Sequence, residues 1–227
     1  MREPNRPAKP LAPTRRGAIT REKLIEAGRR AFSAYGYELA RVSDIARLAG
    51  VSHGNFYRHF SDKDDLLHAV LDELHQGLRN PVRRKRAGRA DGILGELIDY
   101  NTSFFYSYAE NRDMLRVARE AASKPRPNVF LDIWLEMRTP FIDRSRAWIE
   151  KLQSRGMIDT CMDHALVAES LGSMIEQLAY VHIGLPRKRP SEERLNELGE
   201  TCGIIWFRSL FGSDTADPSI ADEGSLR

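Results

Sequence analysis

The chain has 227 residues, 41% of them hydrophobic and 30% charged, which fits a soluble globular protein long enough to bury a real core. No apolar run approaches membrane-spanning length, no signal-peptide pattern opens the chain, and two cysteines, Cys161 and Cys202, are too few for a disulfide framework and lack metal-ligand spacing. The net charge of +3 is uneven: residues 1–63 hold 13 Lys and Arg against 6 Asp and Glu, while the remainder is acidic. These features predict a reduced, cytoplasmic protein with no membrane partner and a basic end suited to neutralising phosphates.

Residues 1–19 read as a flexible basic arm, because Pro4, Pro7, Pro10 and Pro13 forbid regular helix and Arg2, Arg6, Lys9, Arg15 and Arg16 charge it. A first helix is expected from about Thr20 to Tyr35, with Leu24, Ala27, Ala31 and Phe32 as its apolar stripe and Gly36 as its stop. Val42, Ile45, Ala46 and Ala49 then recur at helical spacing. Gly50 can take the positive φ of a tight stop, and Ser52 is a good N-cap for another helix. Phe56 and Phe60 point to the core, leaving His53, Asn55, Tyr57, Arg58 and His59 on the other faces. Helix, glycine turn and capped second helix form a helix-turn-helix, whose second helix lies in the DNA major groove.

Ser61 with Asp64 resembles a shortened capping box opening a fourth helix, which carries Leu67, Val70, Leu71, Leu74 and Leu78 and stops at Asn80-Pro81. Arg83 to Arg89 reads as a basic solvated loop, or as an attractor of an anionic effector or of DNA. Five further helices are expected: Asp91 to Tyr108, Arg112 to Ala122, Asn128 to Arg155 kinked at Pro140 and ended by Gly156, Asp163 to Ile183, and Ser191 to Phe211. The tail from Ser213 is polar, acidic and expected to be disordered. The fold class is therefore all-α. Its parts are an arm (1–19), a three-helix head (20–65), a larger helical body (66–212) and a tail (213–227).

Many residues of the head stand in one register: Leu24-Ile25-Glu26-Ala27, Phe32, Gly36-Tyr37, Val42, Asp44-Ile45-Ala46, Ala49-Gly50-Val51-Ser52, Gly54, Phe56-Tyr57, His59-Phe60, Lys63 and Leu66-Leu67. In these the first 78 residues or so resemble the TetR/AcrR family of bacterial one-component regulators. The resemblance implies a DNA-binding head, a helical effector-binding body, a homodimer and a palindromic operator, with repression as the default. Ala40 and Arg41 stand where the family usually has Thr or Ser, so charge on Arg41 replaces a hydroxyl contact to phosphate. Asn55 stands where the family favours Thr, and can bond a phosphate or read adenine.

Carried over by position, His53, Asn55 and Arg58 are the candidates for base edges, and Tyr57, His59 and Lys63 resemble the family's phosphate anchors. With Arg41 and Ser52 they make up the expected DNA-binding set. In the body, Phe130, Trp134, Met137, Phe141, Ser145, Trp148 and Leu152 share one helical face, and Leu94, Leu97, Asn101, Phe104, Phe105 and Tyr108 share another. Asn101 and Ser145 are polar intrusions that need partners. In a family that binds effectors, this picks Asn101, Phe104, Phe105, Tyr108, Trp134, Met137, Phe141 and Ser145 as a ligand pocket. Its apolar ligand is a lipid, a steroid, an aromatic compound or an acyl-coenzyme A. Gly172 and Ser173 among Leu171, Met174, Ile175, Leu178 and Val181, facing Leu195, Leu198, Ile205, Trp206 and Leu210, suggest a dimer interface on the last two helices.

The rivals are a helical enzyme and an interaction module that does not bind DNA. No Gly-rich phosphate loop and no nucleophile context appears. His68 and His75 lie seven residues apart, roughly 10 Å along a helix, too far to share a metal. No catalytic residue, metal or cofactor is assigned.

Overall fold

The computed structural model describes residues 15–78, 92–125, 128–158 and 162–212, with only the backbone for 76–78. The proline-rich arm to residue 14, the Arg83–Arg89 run, Cys161 and the tail from Ser213 lie outside the described residues. The chain divides into two compact units, Met1–Val70 and Leu71–Arg227.

In the first unit, α1 spans Arg15–Leu39, α2 Val42–Leu48 and α3 His53–Phe56, and α4 starts at Lys63 and continues to Leu78 in the second unit. α1 therefore begins at Arg15, so residues 15–19 are helical and not part of a flexible arm. The arm's last proline is Pro13, and nothing after it opposes helix. Gly36 does interrupt α1, at φ 72° and ψ 172°. The next residue, Tyr37, is buried and packs its ring 6.0 Å from that of Phe32. Gly50 closes α2 at φ 69°, and the Val51 amide donates back to the Ala46 carbonyl at 3.0 Å. Leu24, Ile25, Ala31, Phe32, Ile45, Ala46, Phe56, Phe60, Leu66 and Leu67 form the buried core.

The start of α4 differs from the expected Ser61–Asp64 box. The helix begins one residue later, so Asp62 is the cap and accepts from the Asp65 amide at 2.8 Å. Asp65 reaches back to accept from the Ser61 amide at 2.9 Å and the Ser61 hydroxyl at 3.3 Å. Asp64 instead accepts from the Tyr37 hydroxyl.

The second unit holds α5 (Gly92–Glu110), α6 (Arg112–Ala122), α7 (Val129–Ser154), α8 (His164–Ala179), a π-helical turn (Tyr180–Gly184) and α9 (Glu192–Phe211). Local side chains set the boundaries. Asp163 caps α8 by accepting from the Ala165 and Leu166 amides, and Ser191 caps α9 through the Arg194 amide. Asn128 caps α7 through the Phe130 amide, while its Nδ2 donates to the carbonyls of Ala121, Ala122 and Lys124 at the end of α6. α7 runs through Pro140. α5 and α9 lie closest: a Cβ at Gly203 would stand 2.8 Å from the Ile98 backbone, and one at Gly199 would meet Thr102. Phe105, Ile149, Ala168, Ile175, Ala179, Ile183, Cys202 and Trp206 are the centre of this core.

Candidate functional sites

The head presents the DNA-binding candidates on its surface. Ser52 caps α3 with its hydroxyl accepting from the Asn55 amide at 3.2 Å. α3 is a single α-helical turn, extended by hydrogen-bonded turns in which the Arg58, His59 and Phe60 amides donate to Asn55 and Phe56 carbonyls. Its inward residues, Phe56 and Phe60, are buried, which fixes the opposite face outward. There Ser52, His53, Tyr57 and Arg58 are exposed and Asn55 and His59 half-buried. The His53 and Tyr57 rings meet edge to face at 5.2 Å, and Phe56 braces Tyr57 at the same distance. Arg41 is exposed and precedes α2 with no capping bond from its side chain.

Lys63 stands differently from the rest. Its ammonium donates to the carbonyls of Tyr37 at 2.8 Å, Ala40 at 3.2 Å and Glu38 at 3.4 Å. It also sits 4.3 Å over the Tyr37 ring. An ammonium has three donors, and here all three are directed at the carbonyls that end α1. The geometry therefore assigns Lys63 a fastening role within the head.

The second unit holds a partly open cavity of about 610 Å³. Of the expected lining residues, Phe104, Tyr108, Trp134, Met137, Phe141 and Ser145 do face it. Asn101 and Phe105 do not. Asn101 is fully buried and its Nδ2 donates at 2.9 Å to the Leu97 carbonyl one turn back, and Phe105 is fully buried in the core. Ser145 likewise gives its hydroxyl to its own helix, at the Phe141 carbonyl. Both polar intrusions thus donate back to i−4 carbonyls, a partner close at hand on any helix, while the Asn101 Oδ1 has no hydrogen-bond partner.

The sequence reading missed Tyr100, Trp148 and Trp206 on the aromatic walls, and His75, Arg138 and Glu176 among the polar lining. Tyr100 stacks on Phe141 at 5.5 Å with 14° between ring planes, and Phe104 and Trp206 flank Phe141 at 5.3 and 6.4 Å. Tyr100 lies one turn before Phe104, a spacing that could have flagged it. Trp206 was expected at an interface, because a stripe on one helix does not reveal which neighbour covers it. Arg138 Nε bonds both Glu176 oxygens at 3.0 and 2.7 Å, and its NH2 group bonds Glu169 at 2.7 Å and Ser173 at 3.1 Å. Burial pushes the Glu176 carboxyl above the usual carboxylate range, outweighing the pull of Arg138. Burial also pushes the Tyr108 hydroxyl up to about 12.

The expected interface residues differ in burial. Leu171, Gly172, Ile175, Leu195, Leu198, Trp206 and Leu210 are buried inside the unit. A Cβ at Gly172 would strike Ile142 of α7, so this glycine serves packing within the chain and not between copies. Val181 and Ile205 remain exposed, at 42% and 38%, as does Ser173, and Met174 and Leu178 are half-buried; Leu166, which the sequence did not single out, is also exposed, at 64%.

No helix among the described residues is long and apolar enough to cross a membrane. Residues 24–70 match the sequence profile of the bacterial regulatory proteins of the tetR family. The chain is 47% identical over 57 residues to the HTH-type transcriptional regulator TtgR of Pseudomonas putida, a match spanning 25% of this chain and 27% of that one. It is 25% identical over 163 residues, 69% of this chain and 73% of the other, to the HTH-type transcriptional regulator YwcC of Bacillus subtilis. Among solved structures, a TetR-family regulator from Mesorhizobium loti superposes with a TM-score of 0.67 at 22% identity, covering 86% of this chain and 98% of that one. SmeT, the repressor of the Stenotrophomonas maltophilia multidrug efflux pump SmeDEF, does so at 0.62 and 16%, covering 88% and 96%. Residues 24–70 thus match the tetR family of bacterial regulatory proteins by sequence, and the chain shares the fold of solved TetR-family regulators.

Proposed function

We propose that this protein is a dimeric transcriptional repressor that leaves its DNA operator when an apolar small molecule fills the cavity of the second unit. The observation that carries the reading is a division of labour. One unit exposes a polar, basic α3 face, and the other holds a partly open cavity of about 610 Å³ with seven Phe, Tyr and Trp side chains in its lining, a volume typical of drug-sized ligand sites. On the DNA side, His53, Asn55 and Arg58 read bases, while Arg41, Tyr57 and His59 hold phosphates. The exposed residues of α8 and α9 and the turn between them, Leu166, Val181 and Ile205, meet a second copy. Two copies then read a palindromic operator with half-sites roughly 34–36 Å apart or a multiple of that. The neighbour SmeT also exists in complex with triclosan, which supports a small-molecule effector here. Ligand and DNA act reciprocally: a compound that lowers operator affinity by some factor is itself bound more weakly on the operator by that factor.

The test begins with selection of an operator from random-sequence DNA. Anisotropy titrations with and without candidate effectors follow, together with intrinsic fluorescence. All three tryptophans of the chain, Trp134, Trp148 and Trp206, line the cavity, so their emission reports its occupancy directly. Trp134→Ala is expected to weaken the effector response while leaving the operator affinity of the free protein nearly unchanged. If no sequence is enriched, or if compounds that change the emission never change operator affinity, the reading is wrong.

A further inference from the structure

Arg138 reaches from α7 to two carboxylates of α8. Its Nε bonds both Glu176 oxygens, and its Nη2 bonds Glu169 and Ser173. A guanidinium has five N–H donors, and the two on Nη1 meet no acceptor among the described residues. Arg138 and Glu176 both line the cavity, and the Arg138 side chain keeps 17% of its surface accessible. Nη1 is not buried, whereas His75 Nε2, the Tyr108 hydroxyl and the Trp206 Nε1–H are buried atoms of lining residues that likewise have no partner. A ligand does not reach those without moving the side chains. The other charges of the lining, Glu96 and Arg144, are exposed, and neither is without a partner. The charged group that a ligand can reach with donors to spare is therefore the Arg138 guanidinium.

Charge decides what those donors receive. Glu176 faces Arg138 from α7, Arg119 from α6 and Glu169 on its own helix, and it is coupled to the Tyr108 hydroxyl of α5. Tyr108 is held neutral to about 12, and Arg119 is committed to Gln177 and to the Tyr180 ring, 4.0 Å away. Two arginines thus balance two carboxylates. A third carboxylate on Arg138 upsets that balance, and like charges so close raise the proton affinity of one of them. Glu176 is the one to yield, because burial already pushes its carboxyl above the usual carboxylate range. Once protonated, it still accepts from Nε through its carbonyl oxygen.

We propose that the cavity takes a monocarboxylic acid with an apolar body, its carboxylate on the Nη1 donors of Arg138 and one proton from solvent on Glu176. This rests on the reading of the cavity as the effector site and gives its apolar ligand a charged head. The ligand's negative charge and the proton's positive charge enter together, so the lining keeps its balance. The Glu176 O–H is the one covalent bond formed. An amide of the same outline needs no proton but forgoes the charge-assisted bond to Arg138. An ammonium meets carboxylates already bonded to Arg138 and leaves Nη1 unpaired.

Equilibrium dialysis of the full-length protein at pH 6, 7 and 8 tests this. The probes are 2-naphthoate and decanoate as acids, 2-naphthamide as the uncharged counterpart and 2-naphthylmethylammonium as the cation. At pH 6 naphthoate is expected to bind more tightly than the amide or the ammonium. Its affinity should fall by at least about tenfold from pH 6 to pH 8, while that of the amide changes by less than about twofold. Calorimetry at pH 7.5 in HEPES and in Tris, whose ionisation heats differ, should count about one proton taken up per naphthoate bound. Glu176→Gln removes the need for that proton, so it should tighten naphthoate at pH 8 by about tenfold and flatten the profile. Protonation of the ligand itself would leave the slope in place in that variant. Arg138→Gln should lower the naphthoate-to-naphthamide ratio at pH 6 by about tenfold or more, and if it fails to fold, Glu176→Gln alone decides. A flat naphthoate profile in the parent, tighter binding of the amide or the ammonium at pH 6, an unchanged slope in Glu176→Gln, or no binding of either acid overturns the proposal. Operator release is read separately. Acid binding without any change in operator affinity would remove the effector reading and leave the carboxylate site standing. Release by uncharged compounds with no binding of either acid would do the reverse.

Discussion

Lys63 offers a direct contest between two roles for one side chain. As a phosphate anchor it would contribute to DNA affinity and little to folding. The structure instead directs its ammonium to the carbonyls of Tyr37, Glu38 and Ala40 and over the Tyr37 ring. Bonds from a charged donor are worth about 1.5–3 kcal/mol in favourable cases. The 2.8 Å bond to Tyr37 is the short one, and the bonds at 3.2 and 3.4 Å are weaker. Because Lys63 is only half-buried, water replaces part of what is lost, and the cation–π contact adds about 0.5–1 kcal/mol. Together these give about 2–3 kcal/mol for Lys63→Ala, or roughly 4–12 °C in the melting temperature of a domain of 150–250 residues. Lys63→Met, which keeps the stem, should lose nearly as much, and Lys63→Arg less. The assay pairs urea unfolding with operator titrations at several salt concentrations. If Lys63→Ala leaves unfolding unchanged and lowers the salt slope by about one, the fastening argument is refuted and Lys63 is a phosphate ligand.

Further expectations follow from the same geometry. Asn55→Ala and Arg58→Ala should relax base preference at one or two operator positions, each costing about 1–3 kcal/mol of discrimination, whereas Tyr57→Phe should weaken all sequences alike; selections repeated with each variant check this. Ile205→Arg should shift the protein to monomer in sedimentation while the fold survives, whereas Gly172→Arg should destabilise the body itself through the collision with Ile142. Arg138→Leu, which strands Glu176 and Glu169, should destabilise by about 1–3 kcal/mol, and adding Glu176→Leu should recover much of the loss. Glu176 also carries a pH signature. Its folded carboxyl is raised, so the folded chain holds that proton to higher pH than the unfolded chain, whose value is about 4.3. Its contribution is therefore fully present below the unfolded value and is lost as pH rises through the folded one. Unfolding midpoints measured from pH 4 upward should fall across that window in the parent and remain flatter in Glu176→Gln.

What the sequence determined by itself is whatever local chemistry decides. The positive φ of Gly50, the Ser52 cap, the stop at Gly36, the inward Phe56 and Phe60, and helices such as Arg112–Ala122 follow from caps, breakers and periodicity within a few residues. The exposed α3 face follows as well, since fixing two aromatics inward leaves the remaining residues outward. What only the tertiary structure decided is partnership across helices. A stripe shows that a residue is covered but not by what, so Trp206 and Gly172 looked like interface and turned out to serve the cavity wall and the α7 contact. A polar residue on an apolar face can place its donor on its own helix, as Asn101 does with Nδ2 while its Oδ1 has no partner, and Asn101 does not line the cavity. The Arg138–Glu176 pair and the Lys63 fastener join residues 38 and 23 to 26 positions apart. No local pattern encodes such pairs, because their energy exists only once separate helices have packed.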